Sequence, residues 1–232
     1  MRLYYMTSHR IAVDHILAER RLKLSRFDEL NDPFELKPHT LADKDLRRFT
    51  RLLENEYFSR KGLLCFSDNW RSPVMWAHYA EKHYGVCLGF DVASDVNDPT
   101  VRQVEYNPER VTFMLDHEKA LFGIDQNFVH TLLYTKAQEW AYEREWRVIA
   151  NLEDKDERTG FYYVDFGPQL MLREVILGCR NPTPVGQVAK LVRNHHAAVR
   201  VCKARPAFQE FAMVENKSVK PIIAPVRRPS QG

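Results

Sequence analysis

Five runs of five residues constrain this chain most: Arg2–Met6, Leu63–Ser67, Val86–Phe90, Glu174–Gly178 and Val199–Lys203 are each apolar-rich or alternating. Each has the length of a β-strand, well short of the roughly 18 uninterrupted apolar residues that a membrane-spanning helix needs. Shorter or weaker strand signals lie at Leu22–Ser25, Val101–Tyr106, Arg144–Ala150 and Phe161–Phe166. Between them the period changes. From Ala42 to Arg60 the apolar positions Leu46, Phe49, Leu52, Leu53 and Tyr57 recur at three and four, which marks one stripe of a helix beneath a charged face. Further helices are expected behind Thr7-Ser8 (Ile11, Val13, Ile16, Leu17), over Met75–Ala80, over Leu121–Trp140 (Phe122, Phe128, Leu132, Leu133, Trp140), and from Pro184 to His196 behind Thr183.

Strands and helices intermix here without regular βαβ spacing, and no glycine-rich phosphate loop joins a strand to a helix. A doubly wound nucleotide fold is therefore disfavoured, and the pattern fits an α+β domain with a mixed or largely antiparallel central sheet and helices packed on it. A length of 232 residues with 44% hydrophobic and 28% charged side chains suits one folded domain and excludes wholesale disorder. That domain is expected over residues 1–213. Beyond it, 214–232 reads as a loosely held tail, because Lys217, Lys220, Arg227 and Arg228 accompany three prolines with no acid after Glu215. The four cysteines, Cys65, Cys87, Cys179 and Cys202, form no CxxC pair, so reduced thiols are the expectation. With no signal peptide or membrane segment in view, the expected location is the cytoplasm.

The densest chemical cluster is Trp140-Ala-Tyr-Glu-Arg-Glu-Trp-Arg147. In a strand, a period of two puts Glu143, Glu145 and Arg147 on one face, where a guanidinium would keep two acids ionised and a carboxylate could stabilise a cationic transition state. The same charges could equally form a solvated ladder of ion pairs. Ser67 sits where an apolar strand runs into Asp68-Asn69. There its hydroxyl either holds a ligand or bonds its own turn. Trp76, His78 and Tyr79 fall close together on a helix; such aromatics stack a planar ring or fill a core. Arg2, Tyr5 and His9 flank the first strand, and cations and phenols there can grip a phosphate or ribose. No metal site is written: His195 and His196 are adjacent, and His78 and His83 miss the i, i+4 relation.

Taken in order, Asn31-Asp-Pro-Phe-Glu35, Leu64-Cys-Phe-Ser67, Met75-Trp-Ala-His-Tyr-Ala80, Gly85, Phe90, Glu143-Arg-Glu-Trp-Arg147 and Ile176-Leu-Gly178 resemble a bacterial family known as domain of unknown function 2971. The resemblance spans about residues 1–213. It implies a standalone cytoplasmic protein of a kind associated with phage defence and abortive infection. A more distant likeness is to ADP-ribosyltransferases, in which a first-strand Arg or His, a strand Ser and a late-strand Glu, often in a Glu-x-Glu pair, hold NAD within a split sheet. That likeness implies NAD as co-substrate. Glu145 would stabilise the ribosyl oxocarbenium, Glu143 would orient the acceptor, and Ser67 would brace Glu145. Arg2, Tyr5, His9, Trp76, His78, Tyr79 and Arg147 would contact the cofactor.

The expected function is thus an NAD-consuming ADP-ribosyltransferase-like enzyme, a toxin or phage-defence effector acting on a protein or nucleic-acid acceptor, with no membrane involved. The alternative is a non-catalytic module that binds a ligand, a protein or a nucleic acid. For the last of these, Arg47, Arg48 and Arg51 together with the basic tail would supply the phosphate contacts.

Overall fold

The computed structural model describes residues 1–93, 101–112, 126–193, 195 and 197–226. In chain order the strands are β1 (Arg2–Thr7), β2 (Arg21–Lys23), β3 (Lys61–Ser67), β4 (Val86–Val92), β5 (Val101–Gln103), β6 (Glu105–Asn107), β7 (Thr135–Ala137), β8 (Glu145–Asn151), β9 (Tyr163–Asp165), β10 (Leu170–Leu177), β11 (Val199–Pro206), β12 (Met213–Glu215) and β13 (Ile222–Ala224). The α-helices are α1 (His9–Ile11), which continues as a π-helical stretch over Ala12–Leu17, then α2 (Lys44–Glu56), α3 (Pro73–Tyr79), α4 (Gln126–Tyr134) and α5 (Val185–Leu191). The protein is a mixed α+β fold with mostly antiparallel strand pairing, as the sequence pattern requires.

Two compact units divide the chain. The first takes the described residues of Met1–Leu22, Phe66–Asp98 and Val164–Gly232. Within it β1 pairs antiparallel with β4, β4 antiparallel with β10, and β10 parallel with β11, which carries β12 and β13 antiparallel along its other edge. Register explains the unbroken apolar runs of β4 and β10. The ladder Tyr5, Leu88, Val175, Val201 lines one face, and Met6, Cys87, Ile176, Cys202 lines the other. Both faces are covered. Leu88, Val175 and Val201 have no exposed surface, while Cys87, Ile176 and Cys202 pack with Trp76, Ala80 and Met213. A strand buried on both sides loses its alternation, which is why these segments read as runs.

Helix α3 starts at Ser72, whose hydroxyl accepts from the Met75 N–H, and Pro73 takes the first helical position. It leads into a tight turn in which Glu81, Lys82 and His83 all have positive φ, at 48, 52 and 73°. Gly178 makes that turn possible, because a Cβ there would lie 2.1 Å from the His83 carbonyl oxygen.

The second unit takes the described residues of Lys23–Cys65 and Pro99–Tyr163. Its core is helical: α2 and α4 contribute Leu46, Leu53, Phe128, Leu132 and Leu133, closed by Leu36 and Phe58. Asp43 caps α2, its carboxylate accepting from the Leu46 N–H at 2.6 Å. Strand β8 pairs antiparallel with β5, and β6 runs parallel to β7.

Four expectations need revision. The helix expected over Leu121–Trp140 is α4 alone, after which the chain turns into β7 and a 3₁₀ stretch over Gln138–Glu143; residues 121–125, including Phe122, lie outside the described residues. Glu143 is not on a strand. Arg144 adopts a left-handed φ of 47°, and β8 begins only at Glu145. Of the segment 214–232, Val214–Glu215 lies in β12 and Ile222–Ala224 forms β13, both paired to β11, whereas 227–232, with Arg227 and Arg228, lie outside the described residues. The helix read to His196 ends at Leu191, and His196 is likewise outside them.

Candidate functional site

The Glu-Arg-Glu-Trp-Arg segment builds the chemical centre of the second unit, and it is buried. Glu143 is 4% exposed, Glu145 3% and Arg147 0%, so the solvated ladder is excluded. From β8 the Arg147 guanidinium donates to Glu145 twice, Nε to Oε1 at 2.8 Å and Nη2 to Oε2 at 3.2 Å. Its Nη2 also donates to Glu35 Oε1 at 2.7 Å, and Nη1 donates to the Leu133 carbonyl at the end of α4, also at 2.7 Å. Bidentate guanidinium geometry of this kind fixes both partners. Lys136, carried inward on β7, donates to Glu143 Oε2 at 2.7 Å and Glu145 Oε2 at 3.3 Å, and lies 3.7 Å from Glu35 Oε1. Its ammonium also sits 4.6 Å from the centre of the Trp140 ring.

Two neutral groups complete the shell. The Tyr106 hydroxyl accepts from the Glu145 N–H at 2.7 Å, and the Cys65 thiol hydrogen-bonds the Glu145 carboxylate. Burial alone would raise the Glu145 carboxyl, but the charges of Arg147 and Lys136, with the bonds from Arg147 and Cys65, outweigh it and bring the group down to about 2. Burial drives the Cys65 thiol up and the adjacent Glu145 adds to this, so it is an inert donor rather than a nucleophile. Tyr106 is pushed to about 12, mainly by burial. At neutral pH Glu145 is therefore ionised and held by two cations.

Glu35 connects this centre to a cavity. It lines a space of about 270 Å³ together with Phe27, Phe58, Arg26, Lys37 and Glu54. While Glu35 Oε1 is engaged by Arg147, Glu35 Oε2 is shielded from solvent and finds no hydrogen-bond partner among the described residues. Nearby, His39 is fully buried, with Nε2 3.0 Å from the Thr50 hydroxyl; burial and then Arg110 lower its pKa.

Sequence reading found Glu143, Glu145 and Arg147 but missed Lys136, Cys65, Tyr106 and Glu35. Glu35 and Cys65 lay inside the quoted motif blocks. Lys136 and Tyr106 carried no local signal, since each lies on a three-residue strand outside those blocks.

The other candidates, apart from Arg47, belong to the first unit. Ser67 is 1% exposed, and its hydroxyl donates to the Asn69 carbonyl and accepts from the Asn69 N–H at 3.2 and 3.1 Å, the bonding of a strand-end turn. Trp76 is corrected as a stacking residue: it is wholly buried, its indole N–H donates to the Trp70 carbonyl at 2.6 Å, and it leaves no ring face for a ligand. His78 is exposed and packs edge-on against the half-buried Tyr79. Tyr5 is half-buried, with its ring edge-on to Phe66.

Arg2 pairs with Asp91 at 2.7 Å and with Glu174 at 3.1 Å, while Arg173 takes the other Asp91 oxygen at 2.7 Å. The His9 ring is held between Asn181 Nδ2 at 3.0 Å and Thr183 Oγ1 at 3.2 Å. Arg47, read as a phosphate contact, donates instead to the Leu41 and Ala42 carbonyls ahead of α2. Among the described residues no group of His, Cys, Asp and Glu is arranged to hold a metal ion, and no helix is long and apolar enough to cross a membrane.

No curated protein and no solved structure matches the chain. The stretch from α3 through the start of β8, residues 75–148, matches the family model described as a protein of unknown function (DUF2971), and that match takes in Glu143, Glu145, Arg147 and Lys136.

Proposed function

We propose that the chain is a cytoplasmic NAD-consuming enzyme of ADP-ribosyltransferase type, with its carboxylate centre at Glu145 and Glu143. The observation that carries this reading is that Glu145, although 3% exposed, is held ionised by Arg147 and Lys136. Cleaving the nicotinamide glycosidic bond builds positive charge on the ribose, and pre-placed carboxylates in a low-dielectric setting stabilise that charge without reorganising. Both Glu145 oxygens are already engaged, so Glu145 acts through its field, and Glu143 is the residue that orients the acceptor, a protein or nucleic acid. A toxin or phage-defence role would follow from NAD depletion or from modification of such an acceptor.

The test is NAD binding and nicotinamide release by the purified chain, compared with Glu145→Gln and Glu143→Gln. The second substitution leaves the Arg147 fork intact and so separates chemistry from folding. Release should fall by roughly a hundredfold or more in both variants, the scale of losing one transition-state contact. Full turnover in a folded Glu143→Gln and Glu145→Gln pair, or no binding at millimolar NAD, removes the reading. The engagement of both Glu145 oxygens favours a second reading, a non-catalytic ligand-binding module, which the absence of turnover with retained ligand binding would select.

A further inference from the structure

The Asn31–Glu35 block sends two neighbouring side chains to different places. Glu35 goes inward to Arg147, whereas Phe34 is 50% exposed. That ring contributes little to the core, yet its backbone is fixed: the Phe34 N–H donates to Asp32 Oδ1 at 2.9 Å, and the Phe34 carbonyl accepts from the Lys37 N–H at 2.8 Å. Over the ring, 4.7 Å from its centre, lies the guanidinium of Arg110. The segment that carries Arg110 is held as well, since Val111 donates to the Pro38 carbonyl and Thr40 to the Val111 carbonyl, each at 2.9 Å. An arginine stacked by its face keeps its N–H edge open, and that rigid fork matches the paired oxygens of a phosphate or carboxylate. Among the described residues Arg110 has no carboxylate partner; its Nη1 reaches only the His39 carbonyl, at 3.5 Å.

Phe34 and Arg110 line a cavity of about 120 Å³ in the second unit, together with Lys37, Pro38, Pro108 and Lys136. Arg110 is itself exposed, so a group entering from solvent can reach it. The other two cations of the wall are already paired, Lys37 with Glu54 at 3.5 Å and Lys136 with Glu143 and Glu145. Of the acids there, Asp32 is 5% exposed and holds the Phe34 N–H, and Glu109 is exposed to water and salt that screen its charge. The space is well below the size of a drug-like pocket, so it takes a head group rather than a whole large ligand.

We propose that this cavity is a binding site for a small oxyanion, the head group of a phosphate ester or a carboxylic acid, gripped edge-on by Arg110 while Phe34 positions the guanidinium. The site goes beyond the NAD reading and stands without it. Through Lys136 it shares a wall residue with the carboxylate centre.

The probes are phenyl phosphate, benzoate and their neutral counterpart phenol, titrated against the whole chain by calorimetry and by thermal melting in the absence of NAD, so that failure of one reading does not carry to the other. At least one of the two anions should bind saturably and raise the melting temperature, roughly tenfold or more tighter than phenol. Tighter binding of phenyl phosphate identifies a phosphate ester as the natural ligand class, and tighter binding of benzoate identifies a carboxylic acid; both orders support the site. Arg110→Gln should weaken the better anion roughly tenfold or more, and Arg110→Lys should recover only part of that, because it keeps the charge but loses the fork. Should Arg110→Gln not fold, Arg110→Lys carries the test alone. Phe34→Leu should weaken the same anion severalfold, and should do nothing further in the Arg110→Gln background, which a merely structural role for the ring would not produce. Equal affinity for phenol, no saturable binding of either anion, or unchanged affinity in folded Arg110→Gln, Arg110→Lys or Phe34→Leu overturns the proposal.

Discussion

Each unit contains a network built from the same parts, two cations bridged by carboxylates, and burial alone makes them different objects. In the first unit Arg2, Arg173, Asp91 and Glu174 retain 22 to 39% of their side-chain exposure, and Asp91 is shared by both guanidinium groups. In the second unit no member of the Arg147 cluster exceeds 9%. Water and salt screen the first network, so its members are worth little individually. The second has surrendered its hydration, and each group is tolerable only while its partners are present. The exposed network is gradual, and the buried one is all-or-none.

The largest expected effect follows from that contrast. Arg147→Ala should destabilise by roughly 3–5 kcal/mol in urea unfolding, since it leaves Glu145 and Glu35 buried without their main partner. Arg147→Lys should recover only part of the loss, because an ammonium cannot reproduce the two-pronged contact. A loss below about 1 kcal/mol for Arg147→Ala would place the cluster in the same class as the exposed network.

Next is pH. Glu145 is lowered in the folded state from its ordinary 4.5 to about 2, so the folded state binds fewer protons there; its contribution is fully present above about 4.5 and is lost as pH falls toward about 2. Unfolding free energy measured from pH 6 downward should drop across that window, and Glu145→Gln should flatten the drop. The smallest effect belongs to Arg173→Ala, at about 1 kcal/mol or less and shrinking as salt rises from 0.05 to 0.5 M, whereas the Arg147→Ala penalty should be insensitive to salt.

The same contrast explains what could be read in advance. Fold class and most strands were legible because they rest on local apolar pattern, and β3, β4, β10 and β11 fall on the expected runs. The Glu143, Glu145 and Arg147 centre was legible because its members are close in sequence. Glu35, Cys65 and Tyr106 reach it from distant segments, and only tertiary folding brings a residue over a hundred positions away to Arg147, as Glu35 shows. Trp76 was ambiguous for a different reason: an aromatic on a helix stripe has the same pattern whether it meets a core or a ligand, and its environment decides. The tail expectation rested on composition, which is blind to an edge of β11 waiting for partners.

The alternation of segments between units bears on how the protein is made. The chain enters the first unit, leaves it after Leu22, returns at Phe66, leaves again before Pro99 and returns for good at Val164. As it emerges from the ribosome, β1 must wait for β4, some eighty residues behind it, and both must wait for β10. The second unit can be complete once Tyr163 has appeared, so the unit holding the N-terminus is the last to close. No single cut releases either unit whole, and truncation from the C-terminus should strip β10 from β4 and leave that side of β4 as an unpaired, aggregation-prone edge long before it touches the Arg147 centre.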